Sequence, residues 1–222
     1  RLVAFTGSTP VGRHLTTLAS ENMTSVLMEL GGHAPVIVCE DTDVKAAATS
    51  GAIRKMRNAG QVCTSPTRFF VHEAIFDEFV ETFVARAKQT VVGNGMDAGV
   101  EMGPLANDRR VPALTALVED ARAKGATVAT GGAPHGDRGY FFQPTVLLNV
   151  PENAKIMNEE PFGPVAPVAS FKSEDEIIAR ANKVKVGLAS YAFTTDGERA
   201  NRLGKKLNTG MVGINSMTPT SE

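Results

Sequence analysis

The sequence predicts an α/β fold, with a largely parallel sheet flanked by helices. Three observations predict it. Short apolar runs of strand length alternate along the whole chain with longer stretches of helical periodicity. One stretch, 74–88, carries Phe76, Phe79, Val80, Phe83, Val84 and Ala87 on a single helical face. Glycine-rich breaks at 91–104 and 131–139 separate the periodic segments, with no fixed-period repeat and no low-complexity tract.

In chain order, residues 2–5 form a short apolar strand. Thr9 and Pro10 then open a helix, with Thr9 as N-cap and Pro10 in the first helical position. Residues 25–30 and 35–39 read as strands, and 44–57 as a helix opened by Asp41, Thr42 and Asp43. A strand at 68–71 precedes the helix at 74–88. Val111, Leu114, Leu117, Val118 and Ala121 mark the next helix, which Gly125 ends, and a strand follows at 127–129. Strands at 145–148, 165–171 and 190–194 alternate with helices at 174–182 and 198–207, and a strand at 211–214 closes the pattern.

Composition excludes several function classes. The 222 residues are 42% hydrophobic and 21% charged, with a net charge of -1, so no global field attracts nucleic acid or an anionic membrane. No apolar run approaches the ~18 residues of a membrane span. The two cysteines, Cys39 and Cys63, are too few for a disulfide framework. With no secretory leader apparent, free thiols point to a reducing, cytoplasmic compartment. Cys39 ends an apolar strand and reads as a buried structural thiol. No metal is expected.

Four short segments carry chemistry. Phe5-Thr6-Gly7-Ser8-Thr9-Pro10-Val11-Gly12 runs from a strand into a helix start, where glycine permits close approach and free amides favour anions; it lacks the six-residue dinucleotide fingerprint. Glu29-Leu30-Gly31-Gly32 places a carboxylate at a strand end facing a crevice, where partial burial is expected to raise its pKa into the range of a general base. Asn58-Ala59-Gly60-Gln61-Val62-Cys63-Thr64-Ser65-Pro66 sets a thiol in a polar loop. Asn158-Glu159-Glu160-Pro161-Phe162-Gly163-Pro164 pairs acids with an aromatic and a Gly-Pro turn. Each alone has an ordinary structural reading, as a helix cap, a surface acid or an exposed loop.

Together, in order and spacing, the four segments resemble the aldehyde dehydrogenase superfamily: F-T-G-S-T-x-x-G, E-L-G-G, G-Q-x-C and E-x-F-G-P, joined by Gly139-Tyr140-Phe141-Phe142-Gln143-Pro144-Thr145-Val146. The resemblance covers the whole chain. It implies that Cys63 is the nucleophile and Glu29 the general base. It implies an NAD or NADP cofactor, with Phe5, Thr6, Gly7, Ser8 and Val11 along its crevice, Leu30 and Gly31 near the nicotinamide, Glu160 on the nicotinamide ribose and Phe162 beside the ring. It further implies a division into the end of a dinucleotide-binding domain (1–32) and a catalytic domain (33–222). Family chains are roughly twice this length. Much of the dinucleotide fold, an oxyanion-hole asparagine and a C-terminal oligomerisation segment are therefore expected to lie outside the chain, whose intact form would be a homodimer or homotetramer.

Within the family the sequence is most similar to succinic semialdehyde dehydrogenases. That likeness makes Arg57 the partner of a distal substrate carboxylate, with Val62 and Thr64 flanking the substrate. A guanidinium fork suits a carboxylate; the alternative is an arginine capping the end of its helix. Ser65 stands where many such enzymes carry a second cysteine, which leaves glutarate semialdehyde or a short hydroxyaldehyde open as substrates. Two further readings are a thiol acyl hydrolase using Cys63 and Glu29, and a catalytically inert folded domain.

Overall fold

The computed structural model describes residues 1–219. β1 (Leu2–Gly7) and β2 (Ser25–Leu30) pair in parallel, connected by α1 (Thr9–Ser20). A second sheet has seven strands in the order β5-β6-β7-β4-β3-β8-β9. These are β3 (Ala34–Val38), β4 (Pro66–His72), β5 (Thr127–Thr130), β6 (Thr145–Leu148), β7 (Val165–Phe171), β8 (Ala189–Phe193) and β9 (Met211–Ile214). Only β5 against β6 is antiparallel. The helices are α2 (Val44–Met56), α3 (Phe76–Gln89), α4 (Arg110–Ala123), the single-turn α5 (Lys155–Asn158), α6 (Glu174–Ala181) and α7 (Gly197–Lys206). The expected largely parallel α/β sheet is present.

The central strands are apolar on both faces because helices cover both, as parallel sheets require. Val36, Ile37, Val38, Phe69, Phe70 and Val71 are all inaccessible to solvent. α3 lays Phe79 and Phe83 against Phe69, with ring centroids 6.4 and 4.8 Å away. Side-chain caps start the helices where the sequence places short polar residues: Asp43 accepts from Ala46 N at 3.0 Å, and Asp196 accepts from Glu198 N and Arg199 N. Buried Arg68 reaches out of β4 to the carbonyls of His33 (2.8 Å) and Ala181 (3.0 Å), tying the start of β3 to the end of α6.

Three expectations need correction. Thr9 is the first helical residue rather than the cap; Ser8 is the N-cap, and its side chain makes no capping bond, so Pro10 falls one position further in. The segment 74–88 begins with a 3-10 turn, Glu73–Ile75, and becomes α-helical only at Phe76. The helix expected to reach residue 57 stops at Met56, because the chain turns left-handed immediately beyond Arg57: Asn58, Ala59 and Gly60 have φ of 51°, 52° and 69°.

Candidate active site

The carboxyl ends of β1 and β2 face the amino ends of the seven-stranded sheet. Register pairs Thr6 with Glu29 and Gly7 with Leu30, so the first two motifs finish side by side. The chain crosses at Gly31-Gly32-His33 directly into β3. The loop carrying Cys63 leads into β4, and the loop carrying Glu160 leads into β7. Those strands are hydrogen-bonded neighbours, which brings two distant sequence segments together. Thr6, Gly7, Ser8, Glu29, Leu30, Gly31, Cys63, Glu160 and Phe162 line one cleft of about 600 Å³, and Arg110 joins them.

Close backbone contacts hold the two loops. Gly31 lies flush against the Glu160 carboxylate, where a Cβ would collide with it, and Gly32 N–H donates to Glu160 Oε1 at 3.2 Å. Gly60 abuts the Gly163 carbonyl, again without room for a Cβ, and its positive φ suits glycine. Gln61 anchors the thiol loop: its amide donates to Asn58 O (3.1 Å) and Pro104 O (3.4 Å), and its oxygen accepts from Ala106 N (2.8 Å). The segment 104–106 runs on toward α4, whose Arg110 donates to the carbonyls of Pro161 and Phe162 and whose Leu114 packs on Gly163. The stretch 104–110 thus braces both loops. Phe162 is held there at φ 42°, a conformation non-glycine residues avoid and neighbours must enforce.

Burial shifts several titratable groups in and around the site. Burial raises the pKa of half-buried Glu160; the Gly32 N–H, Lys55 and Arg110 act against it. Lys55 is wholly buried, its Nζ has no hydrogen-bond partner among the described residues, and burial lowers it to about 7 against the pull of Glu160. Arg110 is lowered by burial and raised by Glu160. His33, also buried, sets Nδ1 2.7 Å from the Thr67 hydroxyl and Nε2 3.0 Å from Ile156 O; burial, then Arg68, lowers it to about 3, so it stays neutral. Cys63 is exposed, while Cys39 is buried and pushed up to about 12.

Glu29 lines the cleft, though it is exposed rather than partly buried over this span, on a face of β2 where alternate residues are exposed. Not every expected residue joins the cleft. Phe5 and Val11 flank the cleft without lining it. The Phe5 ring folds over Gly7, and Val11 is exposed on α1. Val62 and Thr64 flank Cys63 within its loop and do not line the cleft. Arg57 is exposed in a separate crevice with Ile53, Met56, Arg86, Thr90 and Glu101. Sequence reasoning missed Lys55 and Arg110. Lys55 had a signal: it continues the helical spacing of the buried Ala48 and Ala52.

Comparison with known proteins agrees with this geometry. The model of the aldehyde dehydrogenase family matches residues 1–222. A glutarate-semialdehyde dehydrogenase of Pseudomonas aeruginosa is 44% identical over 216 residues, 97% of this chain and 45% of the relative. An NADP(+) succinate-semialdehyde dehydrogenase of Escherichia coli is 42% identical over 216 residues, with the same coverage of 97% and 45%. The crystal structure of an E. coli NADP-dependent enzyme superposes with a TM-score of 0.97 at 41% identity, covering 100% of this chain and 46% of that one. The chain therefore spans about half the length of the relatives it matches, and over that span it belongs to the aldehyde dehydrogenase family.

Proposed function

We propose that the intact protein oxidises a small aldehyde carrying a distal carboxylate, succinic or glutaric semialdehyde, to the acid with NAD or NADP. The observation that carries this reading is the convergence of Cys63, Glu29 and Glu160 on one cleft. Both substrates follow relatives whose names specify them. In this reading β1, α1 and β2 belong to the dinucleotide-binding domain and the seven-stranded sheet to the catalytic domain.

The residues present fit a dinucleotide. Glu160 keeps one carboxylate oxygen on Gly32 N–H, leaving the other free for a ribose hydroxyl. Gly7 and Ser8 line the cleft at the start of α1, where unpaired amides favour anions. The nicotinamide, when bound, supplies the hydride acceptor.

The chain's own groups do the rest. The Cys63 thiolate adds to the aldehyde carbon, and the resulting oxyanion needs donors such as the Cys63 backbone amide. Loss of hydride from that carbon leaves a thioester on Cys63. Glu29 takes a proton from water, the water oxygen attacks the thioester carbon, and the acid leaves as the thiolate re-forms. Arg57, in its own crevice, is the partner proposed for the far carboxylate. The intact enzyme is read as a homodimer or homotetramer, which sedimentation of the complete protein tests.

The deciding experiment follows reduced cofactor formation by the complete enzyme with succinic and glutaric semialdehyde. Turnover that depends on both aldehyde and dinucleotide supports the reading. Cleavage of activated esters without dinucleotide, and no oxidation with it, would favour a thiol hydrolase.

A further inference from the structure

Tyr191 belongs to none of the sequence motifs. It stands on β8 beside β3, with no solvent exposure, and its hydroxyl donates to Thr64 O at 2.5 Å. Thr64 is the residue after Cys63. The two are the central residues of a turn closed by Ser65 N–H to Val62 O at 2.8 Å. The turn is therefore held on both sides. Gln61 grips its approach through Asn58, Pro104 and Ala106, and Tyr191 grips its exit from across the sheet. Burial pushes the Tyr191 hydroxyl up; the Arg54 charge and the Thr64 bond oppose this. A buried tyrosine hydroxyl needs some partner. Here the partner is the carbonyl of a central residue of the turn bearing the thiol.

We propose that Tyr191 is a positioning residue for Cys63: its hydroxyl, bonded to the Thr64 carbonyl, fixes the turn that presents the thiol to the cleft. Its catalytic consequence rests on the reading of Cys63 as nucleophile.

Amide hydrogen exchange at Ser65, which donates the bond closing the turn, measures the positioning without any cofactor. In Tyr191→Phe the ring and its packing survive, and Ser65 is expected to exchange about tenfold faster, in line with loss of one ordinary hydrogen bond. Val36 and Ile37 in β3 should keep their protection. If those core amides also exchange rapidly, the variant has lost its fold, and Tyr191→Met, which fills apolar space without a hydroxyl, decides through the same Ser65 acceleration. In the complete enzyme Tyr191→Phe should slow the burst of reduced cofactor by about tenfold while leaving the dinucleotide dissociation constant unchanged. An unchanged Ser65 amide in the folded variant, or an unchanged burst, overturns the proposal. Cys63→Ala tests the reading beneath it separately: a burst that persists there removes Cys63 from the chemistry, whatever Ser65 does.

Discussion

Gly31 and Glu160 meet without a gap: the carboxylate occupies the space that a Cβ on Gly31 would fill, and the neighbouring Gly32 N–H holds one of its oxygens. This contact makes the E-L-G-G and E-x-F-G-P motifs one structure. Gly31→Ala must push Glu160 out of place at little cost to the core, since Glu160 is only half-buried. A charged hydrogen bond is worth roughly 1.5–3 kcal/mol, so dinucleotide affinity of the complete enzyme is expected to fall about ten- to a hundredfold. Isothermal titration checks this; unaltered affinity would remove Glu160 from cofactor binding.

Lys55 stabilises the site at the expense of the fold. An amine lowered from 10.5 to about 7 by burial opposes folding at neutral pH. Lys55→Met is expected to raise stability by roughly 1–4 kcal/mol, the range for replacing buried ions with apolar side chains. The same change removes a cation that opposes protonation of Glu160, so dinucleotide binding should weaken. Denaturant unfolding and titration on one variant check both halves. A destabilised variant would mean that the Lys55 ammonium has a partner that stabilises it.

His33 predicts an acid limit. Unfolded, it takes a proton near pH 6.5; folded, only near pH 3. The folded-state value is the lower one, so the stabilisation is complete above pH 6.5 and declines as pH falls toward 3. By pH 5 the loss is about 2 kcal/mol. Urea unfolding at pH 7 and pH 5 should show His33→Gln losing less between the two than the parent does.

Arg57→Met is expected to lower kcat/KM for succinic semialdehyde about ten- to a hundredfold, with butyraldehyde hardly affected, because a carboxylate–guanidinium bond is worth roughly 1.5–3 kcal/mol. Parallel losses on both aldehydes would make Arg57 structural, in keeping with its position as the C-cap residue of α2.

How much of this was legible depended on whether the signal was local. The strands at 25–30, 145–148, 165–171 and 211–214 have the ends the sequence predicts, because apolar runs between turn residues define them directly. Cys63, Glu29 and Glu160 were legible as members of short motifs. Tyr191, Lys55 and Arg110 were not, since each acts on a motif from another element and looks ordinary in its own. Lys55 resembles a solvated cation in the last turn of a helix until its spacing from Ala48 and Ala52 puts it on the buried stripe. Glu29 was legible as a crevice residue at a strand end but not in its burial, since alternate residues of β2 are exposed. The left-handed run at Asn58–Gly60 ended α2 at Met56, one residue short of the expected end, because helical continuation cannot anticipate three residues of positive φ.

The central claim is that Cys63 forms a thioester which Glu29 resolves. Glu29→Gln in the complete enzyme should accumulate that thioester when mixed with succinic semialdehyde and oxidised dinucleotide. Peptide mass spectrometry after acid quench is predicted to find the acyl group on the peptide containing Cys63, with Cys39 unmodified and no adduct without dinucleotide. An acyl group on any other residue, or none while the burst of reduced cofactor persists, would contradict it.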